Sequence, residues 1–425
     1  MMDSKVAQLI DKGVKVLNPE SLYVDDDVDL QRVSGKGVIL YPEVRIMGKD
    51  TLILPDTTIG REAPVTLDNV FVGRGCSLNG GFFQKAVFVG NNSFGSGAHV
   101  RGGTILEDGA NAAHTVGLKQ TILFPFVTLG SLINFCDCLM TGGTSRKDHS
   151  EVGSSFIHFN YTPNQDKATP SMFGNVAKGV MLKDRPIFLG GQGGVVGPCR
   201  LAFGSITAAG TILRKDILEP NQLILGGAMK QMAIERKFGI YSNVKQIFTK
   251  NILYILELTS LMSWYLHIRA MFLDANFDGD EKNLNLSKEL LYGMQITLKS
   301  AVDERINRLD DFVKKLFKSK ELILYDNGGK ITPLVKEHDF AINMWKEFKE
   351  VNGFLSAQNI LDVVKGSKVE MPPDAFLRAV EDGIKEYGSD YVRVIQSLDE
   401  PTSDLGRSWL QSIELIFAKT LEQRE

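Results

Sequence analysis

The sequence predicts a chain of two unlike parts: a β solenoid (a left-handed parallel β-helix built on hexapeptide repeats) over residues 1–228, then an all-α domain over 229–425. Three observations predict it. Of the 41 glycines, 31 fall before position 229, whereas all three tryptophans (Trp264, Trp345, Trp409) lie after it. Aliphatic–glycine pairs recur throughout the first part. Beyond it, apolar residues adopt helical spacing.

A fold that turns a corner every few residues needs glycine where φ is positive or backbones approach closely. A helical domain avoids it, because glycine costs about 1 kcal/mol against alanine in a helix interior. The pairs are Ile59-Gly60, Val72-Gly73, Val89-Gly90, Val116-Gly117, Leu129-Gly130, Val152-Gly153, Phe173-Gly174 and Leu189-Gly190, each followed by about four mostly small or polar residues. Short segments such as Ala86–Val89 and Thr121–Phe124 read as alternating strands between them. Period-2 strands joined at six-residue steps indicate a parallel β-helix, whose coils bury an aliphatic ladder only by stacking. A β-sandwich would need more hairpin signals than Asn79-Gly80-Gly81. The repeat drifts around 98–115 and 139–171, where loops are expected to leave the coils.

In the second part Val302, Ile306, Leu309, Phe312/Val313 and Leu316 step by three or four. Asp303, Glu304, Arg305, Lys314 and Lys315 fall between them, as on the polar side of an amphipathic helix. The apolar stretch Ile252–Leu273 contains Glu257, His267 and Arg269, so it reads as a buried helix rather than a membrane span. Residues Asp399–Ser403 mark a break before a last helix, Leu405–Leu421. Asp274–Asp280 begins like a calcium-binding loop, but Asn285 stands where a closing glutamate belongs, so a helix-ending acidic loop is the better reading.

A formal net charge of −3 provides no basic field for nucleic acid. Four cysteines, two of them in Cys136-Asp137-Cys138 and none in a C-x-x-C pair, suggest neither a disulfide scaffold nor a metal site. Met1–Leu17 carries charges throughout and no signal-peptide core. The expectation is a cytoplasmic protein without a membrane partner.

The run Ser205–Ile217, which contains Ala208-Ala209-Gly210, has the form of a hexapeptide-transferase ending. With Phe188-Leu-Gly-Gly and Gly197-Pro198 before it, this segment resembles the acetyltransferase half of the bifunctional N-acetylglucosamine-1-phosphate uridyltransferases. Gly13–Val24 looks like the segment linking that family's two halves, and Asn160-Tyr161 matches the pair the family places beside its acetyl-CoA and sugar site. The resemblance covers roughly residues 10–228. It implies a homotrimer with sites between subunits, acetyl-CoA as donor, and an amino-sugar phosphate or nucleotide sugar as the other ligand.

In that family a histidine deprotonates the sugar amine, backbone N–H groups hold the oxyanion and cations hold the phosphate. Counting back from Asn160-Tyr161 to the family's histidine reaches residues 134–137, which contain none. His158 and His149 are the local substitutes, each with a structural reading beside the catalytic one. Arg146 and Lys147, ahead of His149, suit phosphate. After Tyr161 comes a polar, proline-bracketed insertion, Thr162–Ser171, in which Lys167 is the candidate anion contact. Gly190-Gly191-Gln192-Gly193-Gly194 stands where the family has a Gly-Ser turn. It either presents free N–H groups to an anion or makes a tight corner. Ala208 and Ala209 complete the expected acetyl-CoA or nucleotide-sugar contacts; no metal is implied.

Three functions fit: an acyltransferase-like enzyme, a nucleotide-sugar-binding protein that does not acetylate, and a scaffold whose helical part docks a partner. The first part is expected to fold without the second.

Overall fold

The computed structural model describes residues 3–227, 232–233, 235–272, 281–352, 358, 362 and 371–422. The boundary expected at 228/229 and the acidic loop Asp274–Asp280 lie outside the described residues. Helix α1 (Ser4–Asp11) opens the chain, its first turn closed by the Asp3 carboxylate accepting the Lys5 N–H. It buries Val6 and Leu9 at the end of the solenoid as the cap that an end coil requires, and the segment read as a linker, Gly13–Val24, forms strands of the first coil.

The solenoid has three walls. An eleven-stranded parallel sheet, from Lys15–Val16 to Leu223–Ile224, forms wall one. A sixteen-stranded sheet forms the other two, joined where Val116–Leu123 and Ile133–Met140 run across the edge between them. Chain order around each coil is wall one, wall two, wall three. The loops expected at 139–171 are present, as the hairpin Gly143–Ser145/Asp148–His149 and the 160–170 insertion. None leaves at 98–115, where Ala98–Val100, Thr104–Leu106 and Asn111–Ala112 continue the coil through the Gly102-Gly103 corner.

The walls differ in burial. On wall two the outward positions are open, as in Ala98–Val100 and Ile157–Phe159, where only one face is buried. On wall three every residue of Ala86–Gly90, Thr104–Leu106 and Ser171–Phe173 is buried. The segments Ala86–Val89 and Thr121–Phe124, read as alternating, are therefore covered on both faces, and their apolar runs are those of a two-sided strand.

The helices supply the cover. After α2 (Val176–Gly179), helix α3 (Val244–His267) buries most of its circumference. Helix α4 (Glu281–Asp326) runs along wall three. Gly293 faces Phe71, and a Cβ there would stand 2.4 Å from the ring, so only glycine lets the helix down onto the wall. Twelve residues later Arg305 meets Asp137, four coils along. A rise of about 1.5 Å per helix residue and about 4.8 Å per coil makes these lengths agree near 18–19 Å. Then α5 (Pro333–Asn352), α6 (Asp374–Tyr387), α7 (Tyr391–Ser397) and α8 (Glu400–Glu422) follow. The last covers the expected terminal helix but begins at Glu400, so all but Asp399 of the segment read as a break lies in its first turn, with Pro401 there. Among the described residues no helix is long and apolar enough to cross a membrane.

Candidate functional site

The edge between walls two and three repeats one backbone device. Gly48, Asn69, Lys85, Gly103, Gln120 and Asp137 occupy it in successive coils, all with φ between 48° and 82°. Glycine and asparagine tolerate that conformation; lysine, glutamine and aspartate hold it at a local cost of order 1 kcal/mol each. Wall-two register extends the column to Asn160, whose Nδ2 donates to Asp137 Oδ2.

Helix α4 runs beside this edge. Between them lies a cleft of about 460 Å³ whose lining includes Lys49, Lys85, Lys119, Gln120, Thr297 and Ser300. The lysines come from alternate coils and so stand about 9–10 Å apart along the axis at the root, within reach of one another's ends. Gln120 is 8% exposed and its Oε1 has no hydrogen-bond partner among the described residues. Glu304 also lines the cleft; burial opposes its ionisation. The hydrogen bonds from Arg308 and the charges of Arg308, Arg305 and Lys119 prevail and hold it below the usual glutamate range. The cleft therefore offers three lysines, with Asp50 and Glu304 beside them, and a buried acceptor without a partner among the described residues, a combination suited to a phosphorylated ligand bearing a hydroxyl or amine.

Arg305 follows Glu304 on α4 but is not part of that lining. It was expected on the polar side of its helix, but it is 2% exposed and lies against the solenoid. Its Nη2 stands 2.7 Å from Asp137 Oδ1, off the line of an N–H bond, and its Nη1 donates to the Lys167 carbonyl at 3.3 Å. The insertion around Lys167 is held by the helical part at further points. Lys315 Nζ donates to the carbonyls of Asn164 (3.0 Å) and Gln165 (2.5 Å), Tyr241 Oη to Asp166 Oδ2 (3.1 Å), and Asn251 Nδ2 to Ala168 O (3.0 Å). The Lys167 ammonium makes no ion pair among the described residues and faces a second cleft, of about 500 Å³, with Arg308 and Lys318.

The remaining candidates occupy other edges. Gly191 and Gln192 turn the edge between walls one and two, one coil before Ala208 and Ala209 at the same edge. There the glycines make a tight corner: a Cβ on Gly190 would stand 2.5 Å from the Ala208 carbonyl carbon, and Gln192 itself takes φ 50°. Their amides serve the coil, with Gly190 N–H on Thr207 Oγ1 (2.8 Å), Gln192 N–H on Ser154 O (2.8 Å) and Gly194 N–H on Thr211 O (3.0 Å). Arg146 lies on the third edge, donating through Nη1 to Gly109 O, Phe126 O and Thr128 Oγ1. Lys147 beside it is exposed, and His149 stands 3.7 Å from Glu151. One chain thus links Asn160 to the Lys167 backbone through Asp137 and Arg305, and separates both from the other two sets.

His158 points into the coil. It is 1% exposed, with Nδ1 2.5 Å from Cys136 O and Nε2 2.8 Å from Ser171 Oγ. Burial pushes its pKa down to about 4, against the pull of Asp137 and the Cys136 carbonyl. Asn160 sits at the corner beyond the strand and faces Asp137, so the two do not share a side. Tyr161 is 59% exposed. Lys119, Gln120, Asp137 and Arg305 escaped the reading of the sequence; the signal available was a charged residue inside the apolar stripe of α4.

No family model matches the chain. Curated relatives do. The chain resembles bifunctional GlmU proteins. That of Nocardia farcinica (strain IFM 10152) is 27% identical over 224 residues, 52% of this chain and 39% of that protein. That of Thermotoga sp. (strain RQ2) is 25% identical over 230 residues, 53% and 45% respectively. That of Thermosipho africanus (strain TCF52B) is 26% identical over 236 residues, 55% and 47% respectively. The chain therefore spans less than half the length of these relatives. The resemblance read from Ser205–Ile217 and Asn160-Tyr161 is borne out at the level of the solenoid and its transferase relatives.

Proposed function

We propose that this chain binds an amino-sugar phosphate or nucleotide sugar at the edge between walls two and three, as an acyltransferase-like protein with acetyl-CoA as the donor. The observation that carries the ligand class is the cleft lined by Lys49, Lys85 and Lys119 from alternate coils and by Gln120, whose acceptor has no partner among the described residues and which lies one coil short of the Asp137–Asn160 pair. Asn160, Tyr161 and Lys167 would complete that end. Gly191, Gln192, Ala208 and Ala209, on the next edge, would reach the ligand from a neighbouring subunit. The homotrimer that this requires has support in wall two, where Ile157, Phe159, Val196 and Ile212 face outward, each between 39% and 42% exposed. The setting that suits these ligands is cytoplasmic.

A second reading, binding without acetyl transfer, is favoured by His158. A base must reach the amine it deprotonates, and both nitrogens of His158 are engaged inside the coil. His149 lies on another edge, with Arg146 and Lys147. Calorimetric titration of the full chain with glucosamine-1-phosphate, UDP-N-acetylglucosamine and acetyl-CoA tests both readings. Binding of either sugar compound, weakened about tenfold or more by Lys119→Met, supports the site; no binding of either sinks it. Acetyl transfer that His158→Ala abolishes while sparing affinity makes His158 the base, which must then leave its Ser171 contact. Binding without transfer by the wild type establishes the second reading.

A further inference from the structure

The helical part makes several polar contacts with the solenoid, and one group of them converges on the candidate site. Arg305, Lys315, Tyr241 and Asn251 all reach the segment 164–168, and Arg305 also reaches the carboxylate that holds Asn160. Their chemistry is uneven. Tyr241 and Asn251 make ordinary neutral-donor bonds, but Arg305 and Asp137 are a buried ion pair, 2% and 4% exposed at the side chain. Removing two charges from water is costly, and a pair of well-packed apolar residues would serve stability at least as well. What the ion pair adds is direction. The Asp137 backbone is fixed by its corner, at φ 59°, so its carboxylate is a rigid anchor for both the arginine and the Asn160 amide.

We infer that Arg305 is a positioning residue of the site: through Asp137 it orients Asn160, and through the Lys167 carbonyl it sets the 162–170 segment, so the ligand end of the cleft is complete only with α4 in place. This gives the helical part a role in binding, and it rests on the proposed ligand site for its affinity readout alone. Arg305 touches no ligand in this account. Lys315 acts with it from the next turns of α4, fastening two consecutive carbonyls of the same segment. A lysine at 305 would keep the charge but lose the planar fork that spans carboxylate and carbonyl.

The test uses the full chain and three variants: Arg305→Lys, Lys315→Met, and the double variant Asp137→Asn with Arg305→Met. The double variant leaves no buried charge unpaired and so keeps the fold testable, whereas Arg305→Met alone strands the buried Asp137 carboxylate. Amide hydrogen exchange is the first readout and needs no ligand. Exchange in residues 160–170 should quicken at least tenfold in the double variant and several-fold in Lys315→Met, with Ile157–Phe159 and Gly194–Val196 unchanged. Equal exchange in wild type and double variant overturns the inference. Affinity for glucosamine-1-phosphate is the second readout: the double variant should bind at least tenfold more weakly at an unaltered thermal midpoint, with Arg305→Lys between it and wild type. Wild-type affinity in the double variant overturns the positioning role. Should the wild type bind no such compound, the ligand proposal falls while the exchange result still decides whether Arg305 orders the segment.

Discussion

Walls two and three are built from the same repeat and face opposite fates. Wall three presents Phe71, Val87, Ile105 and Leu139 among strands buried on both sides, because α4 lies across it, with α3 packed on α4 and reaching Glu107 through Tyr265. Wall two keeps polar or open outward positions through its middle coils and then exposes Ile157, Phe159, Val196 and Ile212 at its end. An aliphatic ladder inside a solenoid is satisfied by stacking alone. The outer face of each wall is a separate problem, and here one wall is solved within the chain. The difference shows that the helical part is less an appended domain than the second face of one wall.

Removing the helices tests this most severely. A chain ending at residue 227 retains the inward ladder, so β circular dichroism should persist, but it bares a contiguous apolar wall of the kind that drives association. The expected outcome is a fragment that folds and precipitates, or runs as large aggregates in size-exclusion chromatography. A fragment that stays soluble and monodisperse would show that wall three tolerates water and that the halves are independent. Loss of β signal altogether would make them a single cooperative unit.

The sequence carried half of this comparison. The aliphatic–glycine pairs set the coil, and the runs Ala86–Val89 and Thr121–Phe124 already differed from Ala98–Val100 in having no residue like His99 between apolar neighbours. Taken as alternating strands, they concealed the cover that continuous burial implies. At the site, Asn160-Tyr161 was legible only through family resemblance. His158 was ambiguous because Ile157 and Phe159 are as apolar as Phe156, so side-chain parity could not show which set faced inward. The corner column was harder still: lysine, glutamine and aspartate at positive φ carry no local signature. Arg305 was hidden by the assumption that charge marks the solvent side of a helix. Its contact lies 168 positions away in Asp137, and no local pattern reports that.

The covered wall also brings carboxylates out of water, which makes its stability depend on pH. Glu107 is 1% exposed and accepts a hydrogen bond from Tyr265 Oη at 2.7 Å; burial pushes its pKa up to about 7 despite Arg269. In the unfolded chain the same carboxyl ionises near 4.5. The folded state thus binds the extra proton between those values. The resulting stability is present in full below pH 4.5, and is lost as the pH rises through about 7. A shift of this size corresponds to at most about 3 kcal/mol. The urea midpoint should fall between pH 5 and pH 8, and Glu107→Gln should lessen that fall; Glu257, buried against α2, is pushed up as well and accounts for a remainder. A variant with the wild-type pH profile would show that Glu107 ionises freely and that the helices do not seal the wall.

The smallest effect on stability belongs to wall two, and it is the one that decides the assembly. Ile157, Phe159, Val196 and Ile212 line two columns on neighbouring strands, Ile157 with Ile212 across Gly194, and Phe159 with Val196. In a single chain these side chains are about two-fifths exposed, so Phe159→Ser with Ile212→Ser should change the thermal midpoint little; such surface changes stay within about 0.5 kcal/mol each. If this strip is where copies of the chain meet, the same double variant should dissociate the oligomer, because a trimer loses the contact three times over. Light scattering on the wild type should give three copies and on the variant one. A wild type that is monomeric, or a variant that stays trimeric, removes wall two from the interface. The edge of Gly191, Gln192, Ala208 and Ala209 would then have no neighbour to bring it against Asn160. The contrast between the walls would hold, and the shared site would not.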